Sequence, residues 1–153
     1  MKDFQIKEYE DRYHQEFKEI SLEWLYKYDL YEKADDDLLD NPNKYLKNGG
    51  LIFLAHANNE IAGTVCLNPV NKNTFELLKL GVRENYKGLG IGRELIQICV
   101  DICLEKKIET VILETSSKLV DAIKLYEKIG FSQVEIKDSY YESADVKMEL
   151  KIL

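Results

Sequence analysis

Residues 83–93, Arg-Glu-Asn-Tyr-Lys-Gly-Leu-Gly-Ile-Gly-Arg, constrain the fold more than any other stretch of the chain. An apolar stretch precedes them (Leu77, Leu78, Leu80, Val82) and an amphipathic helical pattern follows at once, so a strand must become a helix across these glycines. Gly88, Gly90 and Gly92 stand at alternate positions, where the absence of Cβ lets backbone N–H groups converge. A helix that begins here points its positive dipole end and its unpaired amides at the same spot. The combination is an anion site, most often a phosphate site.

Two phosphate loops can be tested against these residues. A Walker loop closes on Gly-Lys-Ser/Thr, whereas Gly92 is followed by Arg93 and Glu94, so a nucleotide triphosphatase is excluded. A dinucleotide fingerprint needs its third glycine where Arg93 stands, because helix and strand pack closely there. Glu114, at the end of a later strand, could still imitate the ribose-binding acid, which weakens this reading without removing it.

The segment Lys87-Gly-Leu-Gly-Ile-Gly92 resembles the pyrophosphate loop of the GNAT superfamily of acyl-CoA-dependent N-acyltransferases. That family usually has Gln or Arg at the position of Lys87, a mild departure for a loop that grips through backbone amides. About thirty residues on, Ala122-Ile-Lys-Leu-Tyr-Glu-Lys-Ile-Gly-Phe131 carries every fixed position of the family's Ala-x-x-x-Tyr-x-x-x-Gly-Phe helix. Phe75–Val82 takes the place of its central strand, and Asp145–Leu150 looks like its last strand. The resemblance therefore spans nearly the whole chain in the right order.

Length and composition fit that reading. The 153 residues suit a single domain over 1–153, and 45% apolar with 32% charged residues is ordinary for a soluble globular chain. The formal charge of −7, with no stripe of Lys and Arg, argues against nucleic acid or an anionic membrane as the main partner and mildly favours a cationic substrate. No apolar run is long enough for a transmembrane helix, and Met1–Glu10 lacks a hydrophobic signal segment. Cys66, Cys99 and Cys103 form no CxxC pair; Cys99 and Cys103 read as small hydrophobes on a buried helical face, and metal binding is not expected. A reducing cytoplasm fits, with the protein a monomer or a homodimer.

Periodicity predicts a strand at Phe4–Tyr9 and a helix at Asp11–Tyr28 with a stripe of Tyr13, Phe17, Ile20, Trp24 and Tyr28. A second helix over Asp35–Lys47 should be interrupted near Pro42. Leu51–Ala57 and Glu60–Val70 should form a hairpin through Asn58-Asn59, followed by a central strand over Thr74–Val82. Ile91–Lys107 is the next expected helix, with Ile91, Leu95, Ile98, Cys99 and Ile102 buried, then a strand at Glu109–Thr115. Ser116 or Ser117 should cap a helix over Lys118–Ile129, ended by Gly130. Phe131–Lys137 and Asp145–Lys151 complete the pattern as an antiparallel pair. The order β-α-α-β-β-β-α-β-α-β-β gives an α/β (α+β) class with a mixed sheet. The resemblance specifies that sheet as mostly antiparallel, splayed at its centre and flanked by helices.

The resemblance also implies a chemistry: transfer of the acetyl group of acetyl-CoA to an amine by direct attack in a ternary complex, without metal. Lys87, Gly88, Leu89, Gly90, Ile91, Gly92 and Arg93 would hold the charged end of the CoA. Backbone groups of Leu80, Gly81 and Val82 would meet the pantetheine arm, with Gly81 as a plausible bulge former. Ser116 and Ala122 join the same contact set. Tyr126 is the expected general acid for the departing thiolate, since a tyrosine of pKa ~10 is protonated at neutral pH. Its alternative is a packed core tyrosine on the face of Leu119, Ala122 and Ile123.

Glu76 is the expected general base. Strict alternation puts it on the face of Leu78, Leu80 and Val82, with Lys79 opposite unless a bulge intervenes, and a structural ion pair is its competing role. The acids Asp35, Asp36, Asp37 and Asp40 read as helix N-terminal residues that favour the dipole rather than as amine ligands. Tyr140 and Tyr141 either line an acceptor pocket or fill a loop, and His14 and His56 are assigned no role. A non-catalytic CoA-binding or regulatory module is the alternative from another class, and a nicotinamide-dependent enzyme is a third. The acceptor amine, small molecule or protein, is not encoded in these motifs.

Overall fold

The computed structural model describes residues 3–153. Its elements run β1 (Gln5–Glu8), α1 (His14–Lys27), α2 (Asp36–Asp40), α3 (Pro42–Lys47), β2 (Leu51–Ala57), β3 (Glu60–Asn71), β4 (Thr74–Val82), α4 (Ile91–Glu105), β5 (Thr110–Thr115), α5 (Val120–Ile129), β6 (Ser132–Val134) and β7 (Val146–Lys151). Among the described residues the strands form one seven-stranded sheet in the order β1-β2-β3-β4-β5-β7-β6. Only β4 and β5 are parallel; every other pair is antiparallel.

The alternation of β2 and β3 divides the core between two faces. Phe53, Ala55, Val65 and Leu67 join the cluster formed with α4 and α5, while Ile52, Leu54, Ile61 and Cys66 join the one formed with α1 and α2. Pro42 occupies the first turn of α3, where its missing N–H costs nothing, and so splits the predicted second helix in two. The α1 stripe holds, with Phe17 and Ile20 buried, but Leu25 and Ser21 are buried too and Tyr13, Trp24 and Tyr28 are only partly covered. The buried face of α4 is broader than its predicted stripe: Ile96, Val100 and Cys103 are buried beside Ile91, Leu95 and Cys99, and Ile98 and Ile102 lie at its margin. A helix that lies across β2, β3 and β4 buries more than one narrow seam.

Two local expectations are corrected. The helix expected from Lys118 begins at Val120, and neither serine caps it. Ser116 Oγ accepts the Lys118 N–H at 3.2 Å, and Ser117 gives both its N–H and its hydroxyl to Asp145 at 2.7 Å. The bulge expected at Gly81 lies earlier in β4. Thr64 pairs with Gly81 but Cys66 with Leu78, so Lys79 and Leu80 together oppose one residue of β3. Lys79 takes a left-handed φ of 54°, and Thr64 Oγ1 donates to its carbonyl at 3.1 Å.

Candidate active site

Pairing between β4 and β5 stops at Glu76 and Ile112, although β4 runs on to Val82 and β5 to Thr115. The edge of β4 toward β5 therefore has no strand paired to it from Leu77 onward, and its last residues, Leu80–Val82, line a groove of about 440 Å³. Leu80, Gly81 and Val82 line one side of this groove, Ala122 and Leu125 of α5 another, and Lys87, Gly88, Gly90, Ile91, Gly92 and Arg93 its end. Gly88 and Gly90 have φ of +82° and +86°, and a Cβ at either would meet nothing within 4 Å. These glycines are required by backbone conformation and not by crowding. The first bond of α4 runs from Glu94 N–H to Gly90 O at 3.1 Å, which leaves the amides of Ile91, Gly92 and Arg93 without a helical acceptor. The glycine turn is thus open, and the first amides of α4 point out of it without helical partners.

Of the residues expected in this contact set, Leu89 is exposed and lies outside the groove wall, and Ser116 lines a different cavity. Lys87 reaches Glu84 at 3.0 Å on the surface. Tyr126 is buried, its ring edge-on to Phe131 with centroids 5.7 Å apart, and burial pushes its hydroxyl pKa further up. It is one turn beyond Ala122 on the same helical face, but not itself among the groove-lining residues.

The bulge decides what lies on the other face of β4. Strict alternation would keep Leu80 and Val82 with Glu76; instead both pack in the α4 cluster, and only Leu78 shares the α1 side with Glu76. Lys79 crosses to that side. Its ammonium is buried against Asp35 Oδ1 at 2.6 Å, receives the Tyr141 ring at 4.4 Å from its centroid, and lies 3.3 Å from the Tyr141 hydroxyl. Asp35 is therefore the buried counter-ion of β4 as well as a helix-start residue, whose carboxylate also accepts the Glu32 N–H at 2.9 Å. Gly81 accommodates Trp24, since a Cβ there would stand 2.6 Å from Trp24 Nε1.

Burial pushes the Glu76 carboxyl up to about 7; Glu114 adds to the rise, while Lys147 and Lys79 oppose it. Glu76 makes no short ion pair with Lys79, whose partner is Asp35. Glu114 projects from β5 and accepts the Ser139 hydroxyl at 2.6 Å. Between these groups and α1 lies a small cavity of about 60 Å³, lined by Trp24, Leu25, Leu30, Asp35, Leu78, Lys79, Glu114, Ser116, Leu119 and Tyr141 among others. Trp24 and Leu119 line both the cavity and the groove, so the two spaces meet there. Sequence reasoning missed Trp24, Glu114 in this role, and the Asp35–Lys79 pair. A lysine inside an apolar strand was the available signal, and Gly81 marked a bulge nearby, but nothing in the sequence placed that bulge at Lys79 and Leu80.

Among the described residues no group of three or more His, Cys, Asp or Glu side chains is placed to hold a metal, and no helix is long and apolar enough to cross a membrane. The model of the Acetyltransferase (GNAT) family matches residues 6–131. N-alpha-acetyltransferase 30 of Dictyostelium discoideum is 32% identical over 97 residues, covering 60% of this chain and 51% of the relative. The chain spans about half the length of several such curated relatives, although the uncharacterized N-acetyltransferase YvbK of Bacillus subtilis is matched over 74% of this chain and 79% of its own at 25% identity. Among solved structures, an acetyltransferase of the GNAT family from Staphylococcus aureus Mu50 superposes with a TM-score of 0.89 at 26% identity, covering 97% of this chain and 98% of the other. The PaiA N-acetyltransferase of Thermoplasma acidophilum, solved in complex with coenzyme A, shares the fold with a TM-score of 0.80 at 20% identity, covering 97% and 99%. The groove, the splayed strands and a family match over residues 6–131 agree: the chain belongs to the GNAT acetyltransferase family.

Proposed function

We propose that the protein is an acetyl-CoA-dependent N-acetyltransferase that acts by direct transfer in a ternary complex. The observation that carries this reading is the continuity of the glycine cradle at Gly88–Gly92 with the open edge of β4. When bound, acetyl-CoA supplies an activated thioester. The amides at the head of α4 would hold its pyrophosphate, with Lys87 and Arg93 adding charge at the rim. Backbone groups of Leu80–Val82 would align the pantetheine arm, and an N–H on that edge would face the carbonyl oxygen as it gains negative charge.

Glu76 serves as the base. A carboxylate titrating near 7 is ionised in half or more of the molecules at neutral pH and can take the proton of an arriving ammonium. Tyr126 serves as the acid: it gives its proton to the departing sulfur and regains one from the nitrogen as the C–N bond forms and the C–S bond breaks. Burial holds it neutral until that moment. The three cysteines are buried and free, which suits neither a covalent relay nor an oxidising compartment, and we place the protein in the cytoplasm.

Calorimetry tests the donor. Acetyl-CoA at a hundredfold over its Kd should stabilise the fold by about 2.7 kcal/mol, with no response to NAD or ATP. A flat response to CoA removes the reading, and CoA binding without amine-dependent thiol release leaves a non-catalytic module. Tyr126→Phe keeps the ring on Phe131 and should lower kcat roughly 10²- to 10⁴-fold while leaving acetyl-CoA affinity nearly unchanged. A tyrosine that only packs would instead lose stability at intact turnover.

A further inference from the structure

Building on the acetyltransferase reading, we propose that the acceptor is a small, unbranched aliphatic amine without a carboxylate, seated in the cavity beneath Leu25, Leu30 and Leu78 with its ammonium toward Glu114. Size comes first. The cavity is about 60 Å³, well under the roughly 150 Å³ in which an apolar cavity holds benzene, so it admits a slim chain and no ring.

Charge comes second. Lys79 is already matched by Asp35 at 2.6 Å, so the ammonium on the wall of the cavity is not available to an incoming carboxylate. Glu114 lines the cavity and its charge reaches Glu76; Lys147, opposite Glu114 in the β5–β7 register, offsets them together with Lys79, whose own partner is Asp35. The surplus of carboxylate favours a cation and repels an amino acid. Trp24 adds a directional group at the junction with the groove: its Nε1 is a buried donor without a partner, and an acceptor atom in a bound complex would satisfy it.

Closure comes third. Glu32 accepts the N–H groups of Glu142 and Ser143 at 2.9 Å each, and Tyr141 from the same loop covers Lys79. The segment before α2 and the loop before β7 are thereby fastened together over the cavity. A polypeptide would have to break these bonds to present its amine; a free amine of a few carbons needs no such opening.

Trp24 is the sole tryptophan of the chain and lines the cavity, so its fluorescence reports occupancy directly. The full chain, saturated with CoA, is titrated with n-butylamine, 4-aminobutyrate, benzylamine, tetra-alanine, and a peptide with a blocked N-terminus and one lysine. Turnover with acetyl-CoA is measured on the same panel. n-Butylamine should perturb Trp24 and exceed 4-aminobutyrate in kcat/KM by at least about tenfold, the carboxylate being left unpaired among like charges. Glu114→Gln should raise the KM for n-butylamine about tenfold or more, the worth of a hydrogen bond to a charged group, while the acetyl-CoA-induced rise in Tm persists. Equal or better use of 4-aminobutyrate, benzylamine or either peptide overturns the proposal, as does a protein that binds acetyl-CoA and responds to no amine of the panel. Loss of the acetyl-CoA response itself overturns the acetyltransferase reading, and this inference with it.

Discussion

The groove along β4 and the small cavity beside it meet at Trp24 and Leu119 but are built by opposite means. The groove is made of backbone: an unpaired strand edge, two left-handed glycines and the amides at the head of α4. The cavity is made of side chains brought from α1, the segment before α2, β4, β5 and the loop before β7. A backbone site tolerates change in most of its side chains, because its donors remain whatever the neighbouring residue. A side-chain site is rewritten by single substitutions. Within one protein the donor can therefore stay fixed while the acceptor is free to vary.

The largest effect that would sharpen this contrast is expected at Glu76. Glu76→Gln keeps the shape and removes the base, and kcat should fall roughly 10²- to 10⁴-fold with acetyl-CoA affinity retained. In the unaltered protein, kcat/KM should climb with pH through a limb near 7 and level off above it, since the carboxylate is the active form. Stability runs the other way. A carboxyl raised from its ordinary 4.5 to about 7 binds more protons folded than unfolded, so its contribution is complete below about 4.5 and is lost as pH rises through 7. The glutamine variant should lack both the kinetic limb and this slope; a variant that keeps the limb would show that another group is the base.

Next in size is the buried pair. Lys79→Ala leaves the Asp35 carboxylate buried without its counter-ion and should cost about 3–5 kcal/mol by denaturant unfolding. Lys79→Ala with Asp35→Ala should recover part of that loss, because no orphaned charge remains. If the single and double variants unfold alike, the pair does not hold the bulge in place.

A smaller cost is expected in the cradle. Valine at Gly90 must adopt φ near +86°, a conformation a β-branched residue resists, for about 1–3 kcal/mol of strain and a marked loss of CoA affinity. Gly92→Ala is the control: its φ is not left-handed, and its Cβ would meet the Leu125 Cδ2 methyl at 3.3 Å, an atom able to shift, and the Val82 Cγ2 methyl at an ordinary 3.9 Å. If the Gly90→Val variant binds CoA as tightly as the Gly92→Ala variant, the loop is a turn and not an anion site.

These two regions also differ in how far the sequence discloses them. The glycine loop, the strand before it and the α5 motif lie within contiguous runs, so residues 75–93 and 122–131 declare the groove in order. Although α5 starts two residues later than expected and β6 is confined to Ser132–Val134 of the expected Phe131–Lys137, the order and type of the elements were legible for the same reason, since periodicity and turn residues act locally. The cavity was not, because its geometry hangs on one extra residue in β4. A bulge leaves hydrophobic alternation nearly unchanged in composition but turns every later side chain to the other face. Strict alternation sets Lys79 opposite Glu76 unless a bulge intervenes, and Asp35 reads as a helix-start acid; with the bulge in place, Lys79 and Asp35 meet across 44 positions of sequence.

The smallest effect expected is at Lys87, and it bears most directly on the claim that the groove is a backbone site. Lys87 is the position where the family usually carries Gln or Arg, and a side-chain account of the anion site would make it the principal residue. In the structure its ammonium is about half exposed and rests on Glu84 at 3.0 Å, a carboxylate that Lys27 also reaches at 2.5 Å. Removing it leaves Glu84 paired and the amides of α4 untouched. Lys87→Ala should therefore leave the Tm nearly unchanged and weaken CoA by less than about tenfold, as an exposed charge does in water. That loss should shrink as salt rises, because an exposed charge is screened beyond about 10 Å at 0.1 M. The loss at Gly90→Val, which is conformational, should not shrink. Titration of both variants with CoA at low and high salt decides the matter. A salt-independent loss at Lys87 as large as that at Gly90 would mean that the side chain, and not the backbone, holds the anion.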